Sequence, residues 1–309
     1  MRIGTRGYID LIKSSVARPA QRLSDLYSQL TSGKRVTKLS DDPLVASRSV
    51  RGQAALQEID ARKFVIQAAQ PLLGAADGAL GEMAPALARC HDLALRAVSP
   101  ELDPSERQAM AQEIRQISSS LVAAGNQAVH GQYVFAGSKI DVIPFQETPG
   151  GNLPVTYSGN HQQLAYTISP SQTAPVGLTG AYIFNFPDAS GQRPLATVDT
   201  DVFSLLKDLA DSVERGDVNR VGDLGQEVQT CQAHVVAARG KIGAMTQSYD
   251  QALNSAEDAE VRIRQVLSAD SDLDYAGAIV DLRQQETVYQ AVLGATSRML
   301  NMSDLFDLR

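Results

Sequence analysis

Few side chains in this sequence could carry metal or nucleophilic chemistry. The four histidines, His91, His130, His161 and His234, are scattered. No pair has the spacing that sets two imidazoles on one helical face around zinc. They read as surface or hydrogen-bonded histidines. Cys90 and Cys231 could close a disulfide if their Cα atoms came within about 7 Å. Each falls on an apolar stripe, however, and that placement favours two buried thiols acting as small hydrophobes. Asp270-Ser271-Asp272-Leu273-Asp274 begins like a calcium loop. Its sixth position would be Tyr275 where glycine is needed, and its twelfth would be Asp281 in place of glutamate. A capping turn between helices is the expectation there. There is no Gly-x-Ser-x-Gly elbow, Walker loop or Gly-x-Gly-x-x-Gly turn. The sequence thus predicts no catalytic residue, no metal and no cofactor.

The composition points the same way. The chain has 309 residues, 43% hydrophobic, with 5% aromatics and no Trp. That is enough apolar material for a core. Scarce aromatics favour long Ala/Leu/Val helix seams over a large globular core, because aromatics bury the most area per residue. A formal charge of -7 argues against a nucleic-acid partner, which needs a basic face. No apolar run is long enough to span a bilayer, and the first residues lack the apolar stretch of a secretory signal.

Such a chain must position its apolar residues by periodicity. Ile9, Ile12, Val16, Leu23, Leu26 and Leu30 follow alternating steps of 3 and 4, with Pro19 at one seam position. A stripe of that period must pack against another helix. Pro19 predicts a kink or break, and Ser32-Gly33 a helix stop. Asp42-Pro43 opens a second helix, along which Ile59, Ile66, Leu73, Leu80, Leu87 and Ala94 recur every seven residues. Pro71 and Pro85 predict a bend or split in it. Asp103-Pro104-Ser105-Glu106 starts a third.

From about residue 130 the period shortens. Gln132–Gly137, Val155–Tyr157, Leu164–Ile168 and Tyr182–Phe184 read as strands between glycine and proline turns. Helix resumes near Asp201. A stripe from Val221 to Val266, about 70 Å long at helical rise, reads as core. A final stripe holds Ile279, Leu282, Tyr289, Leu293 and Leu300, with Glu286 and Thr296 as polar interruptions.

The expected fold is mainly α: a long helical bundle or coiled coil built from both chain ends, with a small inserted β-rich domain. Residues 1–40 and 271–309 are expected to form terminal helical assembly segments. Residues 41–139 and 199–270 are expected to form an inner helical domain, and 140–198 the β-rich insert. The two terminal stripes have no obvious internal shield. Ile9, Ile12, Val16, Leu23, Leu26, Leu30, Ile279, Leu282, Tyr289, Leu293 and Leu300 are therefore the candidate assembly residues.

Several stretches also resemble a known family. Leu30-Thr31-Ser32-Gly33-Lys34-Arg35, followed by Ser40-Asp41-Asp42-Pro43, is similar to the N-terminal signature of the flagellin superfamily. Gly131-Gln132-Tyr133-Val134-Phe135-Ala136-Gly137 is similar to a glycine- and aromatic-rich stretch of that family. Ala238–Gly243 and Asp272–Leu300 resemble its C-terminal helices. Pro43 places the chain nearest the superfamily's hook–filament junction proteins, with a flagellin-like filament subunit as the alternative. Pro19 and the two cysteines depart from the pattern. The resemblance implies a structural subunit of the bacterial flagellum, exported through the flagellar type III channel without a cleaved signal peptide and placed outside the cell. It implies as partners hook-associated protein 1, flagellin, identical subunits in a ring, and a cytosolic export chaperone. It implies no catalysis, no nucleic acid and no membrane.

Overall fold

A computed structural model of the protein describes residues 3–306 except 39, 41, 100, 149–153 and 189, and side chains from 13 to 298. Seven helices dominate: α1 (Ile3–Ser32), α2 (Pro43–Ala97), α3 (Pro104–Gly125), α4 (Gly180–Ile183), α5 (Val202–Arg215), α6 (Val218–Ser271) and α7 (Tyr275–Phe306). The chain divides into two compact units. An inner unit spans Asp60–Glu257, and a terminal unit combines Met1–Ile59 with Asp258–Arg309. The long helices α2 and α6 contribute to both. Among the described residues no helix is long and apolar enough to cross a membrane.

In the inner unit α2 and α6 run antiparallel. Their register is marked by Lys63–Glu257 at 3.9 Å, Gln70 Nε2 donating to Asp250 at 2.9 Å, and the Arg239–Asp77 pair at 2.8 Å. Between these polar flanks the heptad residues meet. Ile66, Leu73, Leu80 and Leu87 of α2 and Val228, Val235 and Ile242 of α6 are almost wholly buried. Each such side chain contributes about 1.5–3 kcal/mol through removal of apolar surface from water. A bend or split was expected at Pro71 and Pro85; this burial explains why α2 is not split there. A proline costs about 3 kcal/mol in a helix interior, and buried seam residues on both sides of each proline outweigh it. Likewise α1 runs unbroken through Pro19.

Helix α3 starts where its sequence signal stands. Glu106 Oε2 accepts from the Asp103 N–H at 3.3 Å, satisfying a free donor of the first turn. Its partner is α5, tied by Arg115 to Asp211 (3.0 Å) and Glu214 (2.5 Å). Helix α5 is capped by Asp201, a buried side chain that accepts from Ser204 N at 2.9 Å and Ser204 Oγ at 2.7 Å. It ends at Gly216, whose φ of +73° suits a residue without a Cβ.

The β-rich part is three separate antiparallel ribbons. Strands β1 (Ala128–Val129) and β2 (Gln132–Tyr133) pair, as do β3 (Phe145–Glu147) with β4 (Val155–Tyr157), and β5 (Ala165–Ser169) with β6 (Gln172–Pro175). Two expectations need correction. The strand expected over Gln132–Gly137 ends at Tyr133, because Gly137 takes φ +73° and the chain turns. The strand expected at Tyr182–Phe184 is the short helix α4. Thr179 accepts from Tyr182 N there, which favours a helical turn over extension.

The few aromatics gather in this region. Phe145 lies 4.8 Å from Phe184, 5.6 Å from Phe203 and 5.3 Å from Tyr157, centroid to centroid. A Cβ on Gly125 would lie 2.8 Å from the Phe145 ring, so helix α3 ends on glycine to let that ring close on its backbone. Helix α6 holds the β region through polar contacts. Tyr249, fully buried, donates its hydroxyl to Ala174 O at 2.9 Å. Lys241 Nζ donates to Tyr182 Oη at 2.6 Å, and His234 Nε2 lies 2.8 Å from Tyr182 O.

Candidate assembly surface of the terminal unit

In the terminal unit the two ends of the chain pair as α1 against α7. Tyr27 donates its hydroxyl to Glu286 Oε1 at 2.8 Å, and Gln285 Nε2 donates to the Pro19 carbonyl at 3.4 Å. Glu286 is thus a tether rather than a defect in the stripe, and its carboxylate pushes the pKa of Tyr27 up. On α1 the seam is Val16, Pro19, Leu23, Leu26 and Leu30, all half-buried. The side chains of Ile9, Ile12 and Leu300 lie outside the described residues.

On α7 the expected stripe splits between two faces. Leu282 and Tyr289 are half-buried, in register with Ala278, Gln285, Val292 and Thr296. Ile279 and Leu293 are instead 44% and 42% exposed. Two stripes one residue apart share Leu282, Tyr289 and Thr296, and the small Ala278 and polar Gln285 of the inner one give little apolar signal. The sequence period could not choose between them.

The two linkers close on each other. Arg35 N donates to Ser271 O at 2.8 Å and Leu273 N to Gly33 O at 3.0 Å, around a bridge between Lys34 and Asp272. Gly33 takes φ +69°, the left-handed geometry glycine adopts without strain. The acidic run from Asp270 is part of this joint. Asp274 Oδ1 accepts from Ala276 N (3.1 Å) and Gly277 N (3.3 Å) at the start of α7, and Asp272 Oδ2 from Ser268 Oγ at 2.5 Å. Arg48 reaches Asp270 at 3.5 Å, and Val45 N donates to Asp42 Oδ1 at 3.2 Å. These carboxylates serve as caps and ion-pair partners.

Cys90 and Cys231 are free and buried in the inner unit. Burial pushes both thiols up to about 12, and neither makes the disulfide that their number allowed. Among the described residues no three His, Cys, Asp or Glu side chains gather as a metal site.

The distribution of apolar surface separates the units. Of 49 buried hydrophobic residues among those described, only Val45, Ile59 and Ala278 belong to the terminal unit. Of 16 exposed large hydrophobics, 10 belong to it, although it is the smaller unit. The stripe of α6 shows the change along a single helix. It is buried at Val235, Ile242 and Tyr249, still buried at Ala256, and 59% exposed at Val266. Beyond Ala256 the stripe, expected as core, is half-buried at Ala259 and Ile263 and exposed at Val266. Scattered exposed apolar residues are ordinary, but a concentration of this kind marks an interaction surface.

Residues 10–140 match the family described as bacterial flagellin N-terminal helical region. Flagellar hook-associated protein 3 of Salmonella typhimurium is 24% identical, aligned over 100% of this chain and 99% of its own length.

The chain is similar to flagellar hook-associated proteins along its whole length.

Its fold recurs in solved flagellar proteins. FlgL of Xanthomonas campestris superposes with a TM-score of 0.59 at 18% identity, over 71% of this chain and 99% of that one. The flagellar junction protein FlgL from Legionella pneumophila gives 0.56 at 15% identity, over 74% and 100%. The stretches singled out in the sequence have visible roles in this fold. Leu30–Arg35 supply the helix stop and the linker contacts, and Asp42 with Pro43 the start of α2. Gly131 and Gly137 take the positive φ angles that fold back the β1–β2 ribbon and its exit.

Proposed function

We propose that this chain is a structural subunit of the bacterial flagellum, forming the junction between hook-associated protein 1 and the flagellin filament. The observation that carries the reading is the terminal unit's uneven share of apolar residues: ten of the 16 exposed large hydrophobics and only three of the 49 buried hydrophobic residues among those described. Such a unit gains most of its burial only against other chains. The full-length similarity to hook-associated protein 3 of Salmonella typhimurium supports the choice of junction over filament. The role is architectural: identical subunits form a ring, the terminal helices meet the neighbouring layers, and the inner unit keeps its own core. In this reading the chain leaves the cell through the flagellar export channel, guided by a cytosolic chaperone, and works outside it.

The test is electron microscopy of purified chain added to hooks ending in hook-associated protein 1, followed by flagellin. Filaments should grow from those hooks only when the chain is present. A chain that polymerises by itself into long filaments would contradict the reading.

A further inference from the structure

The terminal unit carries a second apolar feature, on α2 and α6. Ile263, Val266 and Leu267 of α6 floor an open trough against α2. Gly52 makes room for it, since a Cβ there would lie 2.7 Å from Leu267 Cδ2. Arg48, Arg51 and Arg262 border the trough. Arg51 donates to the Ser47 carbonyl and hydroxyl at 3.4 and 3.3 Å, and Arg48 reaches Asp270 at 3.5 Å. Among the described residues Arg262 has no ion-pair partner, although it stands beside Val266, which is 59% exposed.

An apolar floor under guanidinium groups fits an apolar strip bordered by carboxylates. The chain bears such a strip at the start of α7. Ile279 and Val280 are 44% and 64% exposed, Asp281 follows them, and Asp274 stands two helical turns before Asp281. Trough and strip are different surfaces of one chain. Complementary but non-identical surfaces make a head-to-tail contact, which closes into a ring when the rotation between copies closes and runs on as a helix when it does not.

We propose that the α2/α6 trough of one copy receives the first turns of α7 from a second copy. Ile279 and Val280 enter the apolar floor, and Asp281 meets Arg262. This rests on the junction reading, which supplies the ring of copies.

The test uses flagella from cells whose only copy of the chain carries Val266→Cys and Val280→Cys, exposed to a mild oxidant. Cross-linked products should form a ladder at multiples of the 33.1 kDa chain. The unsubstituted chain should give none, because Cys90 and Cys231 are buried. In a second arm, Arg262→Glu and Asp281→Arg should each reduce filament-bearing hooks about tenfold, on the scale of a close interfacial charge pair. The doubly swapped chain should restore them. A missing ladder on flagella with attached filaments would overturn the inference, as would a cross-link to a different protein or a failed restoration. Absence of the unsubstituted chain from purified flagella would instead overturn the junction reading, and this inference with it.

Discussion

Asp201 shows how much a single side chain can hold in this fold. Its carboxylate is buried and satisfied at both oxygens by Ser204, so it fixes the start of α5 beneath the aromatic cluster. Asp201→Ala should lower the stability of the inner unit by about 1–2 kcal/mol, measured by chemical denaturation. Asp201→Asn should recover part of that loss. The thiols give a second test. Cys90 and Cys231 ionise near 9.0 when free but only at about 12 in the fold. A thiol-specific reagent at pH 8 should therefore label neither in the native chain and both after unfolding. The sign with pH follows from the same difference. Below pH 9 both states keep their thiol protons and the groups contribute no slope. Between about pH 9 and 12 the unfolded chain loses protons that the folded chain keeps. Stability should then fall by about 1.4 kcal/mol per pH unit for each thiol, and Cys→Ser at either site should flatten that slope.

The helices differ in how much of their character the sequence displayed. The caps at Asp42 and Asp103 were legible because a capping carboxylate, with proline or glutamate at fixed offsets, is a local signal; the cap at Asp201 has neither neighbour and was legible only as the place where helix resumes. The inner stripes were legible because their heptads are unbroken. The outward face of α7 was not, since Ile279 and Leu293 belong to a register one residue from Ala278, Gln285 and Val292. Only the partner helix decides which register faces inward. Tyr182–Phe184 misled for a related reason: three apolar residues fit a strand or one helical turn, and the Thr179 cap settles it. The same packing differences predict local stability. Helices α1 and α7 share a half-buried seam, whereas α2 and α6 bury theirs fully around Leu80 and Ile242. Backbone amides of α1 and α7 in the isolated chain should exchange with solvent at least about 100-fold faster than those beside Leu80 and Ile242. Limited proteolysis should trim the ends to near residues 40 and 270. Equal protection across all four helices would contradict the division of stability drawn here.

At the scale of the molecule, the proposed junction role has the inner unit fold for itself and the terminal unit fold for the assembly. Leu26 and Leu293 separate the two roles within the terminal unit. Leu26 sits in the seam with α7, so Leu26→Asp should weaken the α1–α7 pair by about 1–3 kcal/mol as well as attachment. Leu293 is 42% exposed and faces away from that seam, so Leu293→Asp should leave the isolated chain's stability within about 0.5 kcal/mol. The decisive measurement is a count by electron microscopy of filament-bearing hooks in cells whose only copy carries Leu293→Asp, paired with thermal unfolding of the purified variant. The account predicts bare hooks, flagellin released to the medium and an unchanged unfolding transition. Normal filaments on those hooks would contradict it.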